Sequence, residues 1–241
     1  MKYLLPLITI GALFISGCQK KESITFHQTD QAKLYEPDID PADFSASTVI
    51  TNRYFPLPPG KKYIYEGASE EGEERVEEMR LMETITIMGI ECVVDNFKGF
   101  VDDELVEEAW DWYAQKNDGS VWYFGEAVDN YENGGIANHD GAWKAGVDGA
   151  LPGTIMLATP RNGVKYREEF FEGEAEDQAQ IIHTGKEVSI DFGTFDDCIM
   201  TRNWTKLEPG LIEEKIYAPG VGLIREISHR EKAQIDLVAI E

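Results

Sequence analysis

Again and again the chain returns to one kind of segment. Lys62-Tyr63-Ile64-Tyr65, METITIM from Met82, IECVVD from Ile90 and KAQIDLVAI from Lys232 are short, rich in β-branched and aromatic residues, and bounded by Gly, Pro, Asn and Asp. Residues that crowd a helix but pack well on a pleated surface, punctuated by turn formers, predict strands. The run GEERVEEMRLMETI from Gly72 has a helical composition, yet Val76, Met79, Leu81 and Ile85 keep no helical period. It reads as one long exposed strand. With 42% hydrophobic and 11% aromatic residues in 241 positions, the chain can bury a sizeable core. The expectation is a mainly β protein: a curved antiparallel sheet, a sandwich or an open barrel.

Internal similarity sharpens this. LVEEAWDWYAQKNDGSVWYFGE from Leu105 and LIEEKIYAPGVGLIREI from Leu211 open alike, and Cys92 and Cys198 each stand 13 residues before them. GKKY at Gly60 has a counterpart in GVKY at Gly163. Anchors kept in the same order predict two related β repeats, about 56–126 and 160–227, inside one domain spanning 54–241. A Gly-rich connection covers 127–159 and a final strand 232–240. Each repeat ends in a hairpin. A two-residue turn at Asp118-Gly119 sets Gln115 opposite Trp122, Ala114 opposite Tyr123 and Tyr113 opposite Phe124. A turn at Pro219-Gly220 sets Ile216 opposite Leu223 and Glu214 opposite Arg225, a favourable pair of charges. Apolar side chains then fall on both sheet faces, so both require cover.

Charge excludes some partners. Against 22 basic residues stand 45 acidic ones, giving −23 at pH 7, which repels nucleic acid and anionic lipid alike. Membrane attachment therefore needs a covalent anchor or a spanning segment. The apolar stretch from Leu4 to Ile15, preceded by Lys2, is too short to cross roughly 30 Å of hydrocarbon and reads as an export signal.

The end of that signal, Ile15-Ser16-Gly17-Cys18, resembles the lipobox of bacterial lipoproteins. The resemblance implies cleavage before Cys18, residues 1–17 as the signal, and acylation of Cys18 as the membrane anchor. Two or more acyl chains hold a protein firmly where one does not. Gln19, where lipoproteins kept in the inner membrane of many Gram-negative bacteria carry Asp, implies outer-membrane sorting in such a host. Residues 18–53, polar and containing EPDIDPADFSAS, read as a tether, with a docked arm seated by Phe44, Val49 and Ile50 as the alternative. Farther on, Thr194-Phe195-Asp196-Asp197-Cys198 and Tyr217-Ala218-Pro219-Gly220-Val221-Gly222-Leu223 resemble the C-terminal part of a group of uncharacterised envelope lipoproteins and periplasmic β-sheet proteins. That likeness implies location and fold, and carries no activity. With Cys18 acylated, Cys92 and Cys198 form an even pair in an oxidising compartment, at equivalent positions of the two repeats, and a disulfide between them is expected; two buried thiols are the alternative.

Catalytic motifs are weak. The pairs Glu107-Glu108, Asp196-Asp197 and Glu213-Glu214 lie side by side in strands, so their members point to opposite faces and cannot act together. Four histidines, His27, His139, His183 and His229, lack metal-ligand spacing, and the acidic turns at Asp102-Asp103-Glu104 and 129–133 lack that of an EF-hand. No cofactor is expected. Trp110 and Trp112 share one strand face, and Trp122 and Phe124 share a face of the next; these four are the candidate walls of a ligand groove. His139 and Asp140, with Trp143 close by, are the candidate site of the Gly-rich connection. Three readings follow: a non-catalytic lipoprotein whose acidic domain binds an envelope protein or small ligand, a carrier of an apolar molecule in a Trp-lined groove with few charges, and a hydrolase acting at His139 and Asp140.

Overall fold

The computed structural model describes residues 35–241. A 3-10 turn at Pro41–Phe44 precedes the strands β1 Thr51–Asn52, β2 Phe55–Pro56, β3 Lys62–Ala68, β4 Glu73–Ile87, β5 Ile90–Val101 and β6 Glu104–Gln115. Next come β7 Val121–Glu132, β8 Gly135–Asn138, β9 Trp143–Lys144, β10 Leu151–Met156, β11 Lys165–Arg167 and β12 Glu169–Phe170. The last are β13 Gln178–Ile190, β14 Gly193–Trp204, β15 Glu213–Ala218, β16 Gly222–Ser228 and β17 Ala233–Ile240. The expected mainly β architecture is present, and GEERVEEMRLMETI lies in one long strand, β4.

Thirteen strands form one path in the order β11-β13-β14-β15-β16-β17-β3-β4-β5-β6-β7-β10-β12, with β8 and β9 paired to β7. Every neighbour is antiparallel. The two ends of the path are consecutive in the chain: only Glu168 separates β11, on the β13 side, from β12, on the β10 side. The segment therefore leaves one sheet edge and joins the other, nearly closing the sheet into a barrel. Closure removes the exposed edges that an open sheet would offer to other chains. It also needs a residue without a side chain at Gly153, where a Cβ would lie 2.2 Å from the Glu168 carbonyl oxygen.

Pleating then sorts the sequence into lumen and outside. Tyr63 and Tyr65 of β3, Val76 and Glu78 of β4, Asp95 and Phe97 of β5, and Ala109, Asp111 and Tyr113 of β6 share the inner face, as the cross-strand register requires. Two apolar clusters fill the molecule. One gathers Tyr113, Tyr123, Phe124, Ile181, Ile199 and Tyr217; the other gathers Tyr65, Phe97, Ile224, Ile235 and Leu237.

From residue 35 onward the expected tether is a docked arm. Phe44 and Ile50 are buried, and Phe44 meets Phe124 edge to face at 5.7 Å between ring centres. Full burial of side chains of this size contributes about 1.5–3 kcal/mol each, more than a polar linker gains by staying in water. Polar contacts fix the path: Gln115 Oε1 accepts from the Thr51 and Asn52 amides at 2.8 and 2.9 Å, and the Arg80 guanidinium donates to the Thr48 and Leu57 carbonyls at 2.6 Å each.

Both hairpins differ in register from the expectation, the first pairing one residue earlier and the second one to two residues later. Gln115 pairs with Val121, Ala114 with Trp122 and Tyr113 with Tyr123, because Asn117-Asp118-Gly119 is a three-residue loop with Gly119 at φ +93°. Ile216 pairs with Arg225 and Glu214 with Ile227, because the second loop is Pro219-Gly220-Val221 and a bulge follows. Arg225 consequently binds Asp236, while Glu214 accepts from Arg202 at 3.1 Å and lies 3.2 Å from His229. The stretch 127–159, read as a Gly-rich connection, contains the end of β7 and all of β8, β9 and β10. Each of the two spans read as repeats contains a run of antiparallel neighbours, β4-β5-β6-β7 and β13-β14-β15-β16.

Gly153→Ala is expected to lower unfolding free energy by about 1–3 kcal/mol, the usual cost of forcing extra volume into a packed site. Denaturant titration checks it; unchanged stability would mean that β10 and the Glu168 backbone do not meet as described.

Candidate functional site

One cavity stands out by its lining. It is lined by Tyr63, Tyr65, Tyr113 and Tyr217 and by Glu78, Asp95, Asp111 and Lys215, with Phe55, Leu57, Val221 and Leu223 among the apolar residues around it. It lies where the two apolar clusters meet: Tyr113 and Tyr217 belong to the first and Tyr65 to the second. Phe55 packs edge to face on Tyr113 at 5.2 Å, so the docked arm supplies part of the wall.

Cross-strand register explains the charge below. Arg80 faces Asp95, Asp95 faces Asp111, and Asp111 faces Glu126. Directly opposed residues have Cβ atoms about 4.5–5.5 Å apart, and like charges there repel. The cation at the end of this row relieves it only in part: Arg80 donates to the carbonyls of Thr48 and Leu57, and its charge draws Asp95 down less than burial and the neighbouring acids push it up. Asp111 accepts the Tyr123 hydroxyl proton at 2.5 Å, and neither carboxylate oxygen of Glu126 has a hydrogen-bond partner. Asp95, 7% exposed, makes no hydrogen bond or ion pair among the described residues.

Burial in such surroundings favours the protonated acid. Burial, helped by the charges of Glu78 and Asp111, holds Asp95 well above the ordinary carboxylate range. It raises Asp111 to about 7 against the pull of Tyr123 and Lys215, and raises Glu78 to about 7 with Asp111 and Glu226 adding to it. Glu126 is pushed well above its ordinary value by burial and then by Asp111. Lys215 lies on the other side, 3.8 Å from Glu226 and 4.0 Å from Glu213, and attracts Glu168 and Asp177 as well. Its positive charge is thus matched by its own acidic neighbours.

The sequence-predicted residues lie elsewhere. Trp110 and Trp112 are on the outer face of β6, because the pleat gives the lumen to Asp111 and Tyr113. Lys144 sits 5.5 Å over the Trp112 ring, Trp122 Nε1 donates to Ser120 Oγ at 3.0 Å, and Phe124 packs on the arm. His139 is exposed, its Nδ1 2.9 Å from the Val128 carbonyl and 2.8 Å from Asp129 Oδ1; Asp140 is exposed too, while Trp143 is buried against Tyr123. Neither His139 nor Asp140 reaches the cavity.

Cys92 and Cys198 are free buried thiols, not a disulfide. Five strands separate β5 from β14 along the sheet, and the two sulfurs belong to different apolar clusters. Burial pushes the Cys92 thiol up to about 12. Cys18 lies outside the described residues. Adjacent carboxylates do diverge as expected: Glu107 is raised to about 8 by burial, whereas Glu108 lies 3.3 Å from Lys98. Among the described residues, no three His, Cys, Asp or Glu side chains are grouped to hold a metal ion. The signal for the cavity was present in the alternation of β6, where Glu107, Ala109, Asp111 and Tyr113 share the parity opposite to the tryptophans.

No family model and no curated protein matches the chain. A solved structure described as "a putative lipoprotein from Parabacteroides distasonis" superposes with a TM-score of 0.43 at 15% identity, over 79% of this chain and 99% of that one. A likeness of that degree fixes neither fold nor role here.

The raised carboxylates make a pH prediction. Each binds a proton more tightly folded than unfolded, so the stability it adds is complete below about pH 4 and is lost as pH rises through 7 to 8. Glu214, lowered despite its burial by hydrogen bonds from Arg202 and His229, acts oppositely but only below about 4.5. Thermal melting is expected to drop by at least about 5 °C between pH 5.5 and pH 8, given roughly 2–4 °C per kcal/mol for a domain this size. A flat or rising profile would contradict the lumen electrostatics.

Proposed function

We propose that this chain is a lipid-anchored envelope protein that binds a small molecule in the mouth of its barrel and does not catalyse a reaction. One observation carries the binding half: a concave cavity with tyrosine walls, an apolar surround and a few convergent charged groups. Ligand sites of barrels have this form and position. The carrier reading is modified, since the cavity is walled by tyrosine and floored by carboxylates rather than lined by tryptophan with few charges. Reaction chemistry at His139 and Asp140 finds no support in their exposed positions.

The lipobox-like Ile15-Ser16-Gly17-Cys18 supports the anchor, and the acidic composition supports attachment by lipid rather than by a basic surface. Gln19 favours the outer membrane in a Gram-negative host.

Two experiments test these halves separately. Val221→Trp places an indole at the cavity rim. The unaltered protein is expected to bind the neutral fluorophore N-phenyl-1-naphthylamine saturably, and Val221→Trp to weaken that binding at least about tenfold while melting within a few degrees. Equal binding by both proteins, or none by either, refutes the pocket. For the anchor, Cys18→Ala expressed in a Gram-negative host is expected to lose radiolabelled palmitate and leave the detergent phase. Retained label in the variant would refute it.

A further inference from the structure

We infer that the cavity is built for a ligand carrying an organic cation, an ammonium or guanidinium group on an apolar body, with its charge seated against Asp95 and Asp111. This rests on the reading of the cavity as a binding site and names what that site selects.

Three observations converge. First, Asp95 and Asp111 face the cavity and each other across adjacent strands, with Glu78 beside them and Glu126 continuing the row behind Asp111. Second, neither nearby cation forms an ion pair with Asp95 or Asp111 among the described residues: Arg80 donates to the carbonyls of Thr48 and Leu57, and Lys215, itself in the lining, lies closest to Glu226 and Glu213. An anionic ligand would meet three acids and a single lysine in the lining. Third, Asp95 is buried, borders the cavity and has no hydrogen-bond or ion-pair partner among the described residues, so a donor arriving from the cavity would fill a vacant acceptor.

The walls agree with that chemistry. Tyr63, Tyr65, Tyr113 and Tyr217 present rings whose faces attract cations, and burial keeps the Tyr65, Tyr113 and Tyr217 hydroxyls neutral well above their ordinary range. Phe55, Leu57 and Leu223 suit an apolar body. An organic cation fits better than a metal ion, because the carboxylates are not grouped as a ligand cage. Tyr123, whose single proton goes to Asp111, leaves the remaining acceptors of the row for the ligand.

Calorimetric titration of the purified barrel at pH 7.5 with three matched probes tests the inference: protonated 4-phenylbutylamine, neutral 4-phenylbutanol and anionic 5-phenylpentanoate. The amine is expected to bind at least about tenfold more tightly than the alcohol, a ratio that one charge-assisted hydrogen bond supplies, and the carboxylate most weakly. In Asp95→Asn/Asp111→Asn the amine should lose that advantage while the alcohol binds as before, which also reports that the variant is folded. Alcohol or carboxylate binding as tightly as the amine in the unaltered protein overturns the cation and leaves the pocket standing. An amine preference that survives the double substitution overturns Asp95 and Asp111 as its seat. Failure of all three probes to bind overturns the pocket as well.

Discussion

The structure depends on one short crossing of the chain. At Glu168 the backbone passes from the edge beside β13 to the edge beside β10, and a sheet that would otherwise end in two exposed edges becomes a nearly closed barrel. Most inward-facing side chains are thereby withdrawn from bulk water. Tyrosines and aliphatic residues gain from that, but Asp95, Asp111, Glu126 and Glu226 do not. An isolated buried charge costs far more than a hydrogen bond returns, so these groups must take up protons, pair, or await a partner.

The two halves of the lumen resolve this differently. Around Lys215 the acids have a cation among them, and an internal network results. Along Asp95, Asp111 and Glu126 the help is weaker: Arg80 holds the arm on the barrel and draws Asp95 down only in part, as Lys215 does Asp111. A single arginine thus couples the docking of residues 48–57 to the charge left in the lumen. Since Phe55 and Leu57 of the same arm border the cavity, the segment that shapes the site also holds the arginine at the end of its acidic row.

Much of the fold was legible. Short β-branched segments between turn residues gave strand identity, and the C-terminal strand expected at 232–240 is β17, Ala233–Ile240. Loop geometry was less so. Asp118-Gly119 and Pro219-Gly220 each suit a two-residue turn, but neither sequence reveals that the adjacent residue joins the loop, and one residue of slip moves every partner to a new position. The same parity hid the site. Trp110 and Trp112 drew attention by their size, yet in strand β6 it is the intervening Asp111 and the following Tyr113 that face the lumen. Which face is inner depends on closure, and closure rests on the pairing of β11 with β13 and of β12 with β10, made by two- and three-residue strands too short to show a pattern of their own. The disulfide expectation failed for a related reason: equal spacing before two similar segments says nothing of how many strands lie between the cysteines.

The central claim is that a nearly closed lumen holds a row of buried acids, Asp95, Asp111 and Glu126, whose burial favours the protonated form. Carbon-13 NMR of the side-chain carboxyls, followed against pH, tests it most directly. The account predicts that the Asp95 and Asp111 signals stay in the protonated form at pH 5.5, with Asp111 titrating at about 7. Both signals titrating near 4, as in an open and hydrated sheet, would contradict it.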